Sequence, residues 1–111
     1  MSAKKAVSPR VITPALVRLD RQLLFGNLWI YIVSICAKKP MHAYALPSEI
    51  EKKFGFKPSR IMCYIVAYRL KGEGLLTIKE QGRRVCYVAS ELGKSQLAQA
   101  RHKLQTIGAK L

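Results

Sequence analysis

Gly82-Arg83-Arg84 places two consecutive arginines after a glycine, with Lys79 just ahead, between the β-rich runs Leu75–Lys79 (LLTIK) and Val85–Ala89 (VCYVA). A hairpin tip of that kind has little packing to do, so its guanidinium groups are free to meet an anion. Lys57, Ser59 and Arg60 form a second group at a predicted helix start, where a serine hydroxyl, backbone N–H groups and neighbouring cations suit a phosphate. Tyr64, Tyr68, Arg69 and Lys71 continue along the same helix. The chemistry these residues could do is polyanion binding. Catalysis is not expected, because there is no Ser/His/Asp set, no phosphate-cradling glycine loop and no carboxylate pair with a partner base. His42 stands near a helix start and reads as a structural hydrogen-bond partner. A metal is not expected either: Cys36, Cys63 and Cys86 are far apart, with apolar neighbours and no CxxC spacing, and read as buried free thiols. No cofactor is expected.

The whole composition agrees. The chain has 111 residues with 20 Lys+Arg against 6 Asp+Glu, a formal net charge of +14, yet half of it is hydrophobic, so it is not a disordered basic tail. One modest domain is expected. No secretory leader is evident, and reduced thiols fit the cytoplasm. The apolar stretch Leu23–Ala37 carries Asn27 and Ser34 and falls short of the ~20 residues that span a bilayer, so it reads as a core helix and no membrane partner is expected.

The elements that must position the cations follow from periodicity and caps. Residues 1–13 read as a flexible basic arm whose segment 4–10 could track a nucleic-acid backbone. Thr13-Pro14 starts a first helix that is predicted to run over 14–38, ended by Pro40. It carries two apolar stripes, one of Leu24, Leu28, Tyr31 and Ile35, the other of Phe25, Trp29, Ile32 and Cys36. A small monomer needs only one, so the second is expected to meet a partner chain. A second helix lies between Ala43 and Phe54 and is read from Ser48, because Pro47 disfavours a helix interior and Ser48 with Glu51 forms a capping box. A third helix runs from Pro58-Ser59 to about Lys71, with Cys63, Val66 and Leu70 inward and Met62 beside them. The hairpin covers 75–89. A last helix over 90–111 carries Leu97, Ala100, Leu104, Ile107 and Leu111, spaced alternately by three and four as in a coiled-coil seam.

Three helices, a basic hairpin and a final helix make the layout of a winged helix-turn-helix: mainly α with a small β-hairpin, helix-turn-helix over 43–71 and wing over 75–89. More specifically, Pro40-Met41-His42-Ala43-Tyr44 resembles the PMHGY segment of the PadR-like transcriptional regulators. Phe54-Gly55-Phe56-Lys57-Pro58-Ser59 is similar to that family's approach to its recognition helix. Tyr64, Arg69-Leu70 and Glu73-Gly74-Leu75-Leu76 match its Y…RL…EGLL pattern, Gly82-Arg83-Arg84 with Tyr87 its wing, and Leu92-Gly93 its final helix. The match covers about residues 23–95. The resemblance implies a homodimer that binds operator DNA as a repressor, with a dimer interface built from the first and last helices that takes in Phe25, Trp29, Ile32, Leu97, Ala100, Leu104, Ile107 and Leu111. It allows a small-molecule effector of unknown identity near Trp29. The chain departs from the family pattern at Ile61-Met62-Cys63, Ala43 and Pro47.

On this reading Lys57, Ser59 and Arg60 meet the backbone of double-stranded DNA and Arg69 and Lys71 flank the major groove. Tyr64 meets a phosphate, or with Tyr68 a thymine methyl, while Lys79, Arg83 and Arg84 work at the minor groove. Tyr64 and Tyr68 could instead pack within the domain. The outer side of the third helix, with Ile61, Ile65 and Tyr68, is apolar rather than rich in the polar side chains that usually read bases. Two other functions therefore stand beside a cytoplasmic, nucleoid-associated regulator: a weakly sequence-specific architectural DNA-binding protein, and a winged-helix module that docks a protein.

Overall fold

The computed structural model describes residues 11–111. Its elements are α1 (Pro14–Asp20), a π-helical turn (Arg21–Phe25), α2 (Leu28–Lys38), a 3-10 turn (Ala43–Ala45), α3 (Leu46–Phe54), α4 (Arg60–Gly72), strands β1 (Leu76–Gln81) and β2 (Arg84–Ala89), and α5 (Glu91–Lys110). The proposed arm segment 4–10 lies outside the described residues.

The helix expected over 14–38 is broken. Thr13 caps α1 as read, its Oγ1 accepting from Leu16 N at 3.2 Å, with Pro14 in the first turn. The chain then widens into the π turn and breaks at Gly26-Asn27. The Asn27 amide donates to the Gln22 carbonyl at 2.7 Å, and the Tyr31 hydroxyl donates to the Leu23 carbonyl at 3.0 Å. Side chains thus take over backbone acceptors that a continuous helix would have used, which is how Asn opposes helix interiors.

Beyond the break, α2 is the central rod. It packs against α3, α4, α5 and β2, so it is buried on nearly every side. Leu28, Tyr31, Ile32, Val33, Ile35 and Cys36 are buried, and Ile32 is fully so. That corrects the reading of the second stripe: Ile32 and Cys36 belong to the chain's own core and are not available to a partner chain. Only Phe25 and Trp29 leave the stripe open, Phe25 exposed and Trp29 half-buried. Tyr31 is the hub of an aromatic cluster, edge-on to Phe54 and Phe56 at 4.9 Å each, with Phe25 edge-on to Phe56 at 5.2 Å.

A second correction concerns α3. It starts at Leu46 with Pro47 inside its first turn, and the Ser48/Glu51 capping box is not formed. Proline is tolerated there because its missing N–H would have been unsatisfied anyway. Gly55 ends α3 in the left-handed region at φ 84°.

The α4 boundaries agree with the sequence. Ser59 is the N-cap, its Oγ accepting from Met62 N at 3.1 Å, and Cys63, Val66, Ala67 and Leu70 face the core while Met62 is exposed. Replacing Ser59 by Ala is expected to cost about 1 kcal/mol in thermal unfolding.

The strands run further toward the tip than expected. Gln81 pairs with Arg84, leaving Gly82-Arg83 as a two-residue turn with Gly82 at φ 64°. The hairpin is also tied to the loop before α3, since Met41 and Tyr87 exchange both backbone hydrogen bonds at 3.0 and 2.8 Å. Ser90 caps α5: its Oγ accepts from Gly93 N at 2.9 Å while its hydroxyl donates to the Gly74 carbonyl at 2.6 Å, which fastens the last helix to the base of the hairpin.

Candidate nucleic-acid interface

No charged side chain is buried among the described residues, so every described cation is at the surface. The carboxylates engage few of them. Lys57 reaches Glu51 at 4.0 Å, Lys52 reaches Glu49 at 3.2 Å and Lys94 reaches Glu91 at 3.5 Å. Among the described residues, Arg60, Arg69, Lys71, Lys79, Arg83 and Arg84 form no salt bridge. Exposed pairs such as Lys57–Glu51 are weak and yield readily to a phosphate.

These cations are not scattered. The Arg60 guanidinium, in the first turn of α4, lies over the Tyr44 ring at 4.4 Å. Tyr44 stands edge-on to His42 at 6.1 Å between ring centres, and His42 Nε2 accepts from Arg84 at 2.9 Å. Arginine has only donors, so Nε2 must be the acceptor and the imidazole is neutral in this contact. Arg60, Tyr44, His42 and Arg84 therefore make a bridge from the start of α4 to the start of β2. It links the helix to the hairpin across the surface.

His42 is the structural hydrogen-bond partner that its position suggested. Tyr44 was missed as a site residue. The signal was present in the alternation of His42 and Tyr44 two residues apart in a short loop, but the partners Arg60 and Arg84 come from elsewhere in the chain. Arg83 sits at the turn itself, and Lys79 is exposed on β1.

Tyr64 and Tyr68 are exposed, so the alternative in which they pack within the domain is not what the structure shows. Burial raises the pKa of the Tyr87 hydroxyl, and Cys36 and Tyr68 add to the effect. At helical spacing Arg60, Tyr64 and Lys71 share one flank of α4 and Arg69 lies on the other. Arg69 faces a groove of about 450 Å³ that it shares with Phe25, Trp29, Met62, Glu73 and Gln96. Of the expected DNA-facing residues on α4, Arg60 is joined to the hairpin through Tyr44 and His42, and Arg69 lies on the opposite flank.

The cysteines are buried and free. Burial pushes the Cys36 thiol up to about 12, with Cys86 adding to it, and the Cys63 thiol up to about 11, so neither supplies a thiolate at neutral pH. Among the described residues no cluster of His, Cys, Asp or Glu could hold a metal, and no helix is long and apolar enough to cross a membrane.

No family model and no curated protein sequence matches this chain. Solved structures do match its shape. A PadR family transcriptional regulator from Eggerthella lenta superposes with a TM-score of 0.73 over 86% of this chain and 88% of that one, at 20% identity. The chain has the PadR-like winged-helix fold. A putative transcriptional regulator from Thermoplasma acidophilum matches with a TM-score of 0.65 at 25% identity, covering 79% of this chain and 89% of its own. A winged-helix DNA-binding protein from STIV matches with a TM-score of 0.64 at 20% identity, covering 76% and 92%. In that fold α3 and α4 take the positions of the helix-turn-helix pair and the hairpin that of the wing.

Proposed function

We propose that this chain is a homodimeric DNA-binding transcriptional regulator that acts on operator DNA in the cytoplasm as a repressor. The observation that carries the reading is the bridge Arg60–Tyr44–His42–Arg84, which links a carboxylate-free recognition helix to a cationic wing. In this reading α4 enters the major groove, Ser59 and the first backbone N–H groups of α4 meet a phosphate, and Lys57, Arg60 and Lys71 neutralise the groove walls. Tyr64 and Tyr68 border the same groove. Arg83, Arg84 and Lys79 follow the adjacent minor groove, and Arg69 serves the far flank.

The dimer is supported by what the protomer leaves uncovered. No residue of α1 is buried, and along α5 the seam emerges from the core: Leu97 packs on it, Ala100 is half-buried, and Leu104, Ile107 and Leu111 are exposed. A groove of about 320 Å³ between Leu23, Trp29, Ile30, Ala100, Leu104 and Ile107 continues this surface. Phe25, Trp29 and the α5 seam, without Ile32, form the proposed interface. Replacing Leu104 by Lys is expected to raise the dimer dissociation constant by about tenfold or more, because it buries a charge without a partner. Sedimentation equilibrium reads this directly, and an unchanged mass would count against the seam.

The DNA reading is tested by salt. A dimer that neutralises ~6–10 phosphates loses ~10³–10⁵ in affinity between 50 and 200 mM salt. Competition between a site selected from a random duplex pool and bulk DNA then separates a regulator, with a ratio of ~10³ or more, from a sequence-blind architectural protein, with a ratio near one.

A further inference from the structure

The recognition helix presents an apolar stripe to solvent. Ile61, Ile65 and Tyr68 recur at helical spacing opposite the buried Cys63, Val66, Ala67 and Leu70, and Ile61 and Tyr68 are 70% and 72% exposed. Gly72 continues the line, and a side chain there would meet nothing within 4 Å, so the end of the stripe is open to close approach. Ile61 and Tyr68 do little packing within the domain, and Ile65 is about half covered. Leaving isoleucine and tyrosine this bare has a cost in solubility, which points to an occupant.

The flanks say what the occupant is. Arg60 and Lys71 border the stripe on one side and Arg69 on the other, and α4 carries no acidic residue. A protein partner's apolar patch would have to bring carboxylates to both edges at once. The DNA major groove has that arrangement already, with phosphates along both walls and, on its floor, the C5-methyl of each thymine as the one apolar group that base pairs display there. On the DNA-binding reading above, we infer that Ile61, Ile65 and Tyr68 read thymine methyl groups, so that the operator half-site is rich in A·T pairs and is specified by apolar contact rather than by hydrogen bonds to base edges.

The test removes the methyl and nothing else. The full chain is titrated by fluorescence anisotropy against a duplex of alternating A·T pairs and against the same duplex with deoxyuridine in place of thymidine. Both carry the same phosphates and the same hydrogen-bonding edges. The native protein is expected to bind the thymine duplex about tenfold more tightly, as the burial of about two methyl groups implies. In the double variant Ile61→Ser, Ile65→Ser that preference should vanish, with affinity for the uracil duplex and the salt slope unchanged. The single variant Ile61→Ser, at a position with little packing, should lose part of the preference and serves if the double variant does not fold.

Equal affinity of the native protein for the two duplexes would overturn the inference while leaving DNA binding intact. So would a variant that weakens on both duplexes alike, or one that keeps the full preference, and the stripe would then be free for a protein partner. Absence of binding to either duplex at low salt would instead strike the underlying DNA reading.

Discussion

Replacing Arg83 and Arg84 together by alanine is expected to weaken duplex binding by roughly 10²–10³-fold at near-physiological salt. In the proposed dimer the two substitutions remove four cations, and each phosphate contact contributes about 0.9 to the slope of log affinity against log salt. The slope should therefore fall by about three to four, and the deficit should shrink as salt rises. The two arginines are not equivalent. Arg83 occupies the turn, whereas Arg84 is held by His42 at 2.9 Å, so Arg84 contributes both a charge and a tether for the wing. Arg84→Lys keeps the charge while losing the planar fork, so it should preserve most of the salt slope and lose affinity through a looser wing. A slope unchanged by the double substitution would remove the wing from the DNA-facing surface.

The largest effect on stability is expected at Gly93. A Cβ there would overlap the carbonyl oxygen of Leu75 and lie 3.1 and 3.3 Å from the Leu75 carbonyl carbon and Cα. The obstacle is backbone, held in place because the Leu75 carbonyl accepts from Ser90 N at 3.0 Å and Leu75 N donates to the Leu70 carbonyl at 2.9 Å. It cannot swing away as a flexible side chain would. Gly93→Ala is therefore expected to cost about 3 kcal/mol, the upper end of overpacking penalties, and to lower Tm by about 10–20 °C. Gly108, in the same helix, provides the internal control. A side chain there meets nothing within 4 Å, so Gly108→Ala should stabilise by about 0.5–1 kcal/mol through helix propensity alone. Opposite shifts in two thermal melts check the argument. Equal shifts would mean that α5 does not dock on the base of the wing as described.

Local chemistry made much of this molecule legible before any coordinates. Thr13, Ser59 and Ser90 announce helix starts because a side-chain oxygen three residues ahead of a free N–H is a local interaction, and all three are caps in the structure. Gly82 marks the hairpin tip because a positive φ is cheap only for glycine. The order of elements and the spacing of Tyr64, Arg69-Leu70 and Glu73-Gly74-Leu75-Leu76 were enough to indicate the winged helix. The misreadings share one cause, which is competition that local rules do not weigh. Pro47 belongs in a first turn once a 3-10 turn precedes it, and the break at Gly26-Asn27 depends on where Tyr31 and Asn27 send their polar groups.

The amino-acid order alone determined α4, α5, the hairpin, the excess of positive charge and the apolar outer side of α4, because each depends on neighbours within a few residues. Tertiary structure alone decided three things: that α2 is enclosed on nearly all sides and takes Ile32 from the partner-facing stripe, that Gly93 abuts a carbonyl from the far side of the wing, and that Arg84 rests on His42. Each is a contact between residues distant in the chain, and such contacts are set by how the elements pack, which no periodicity along one element records.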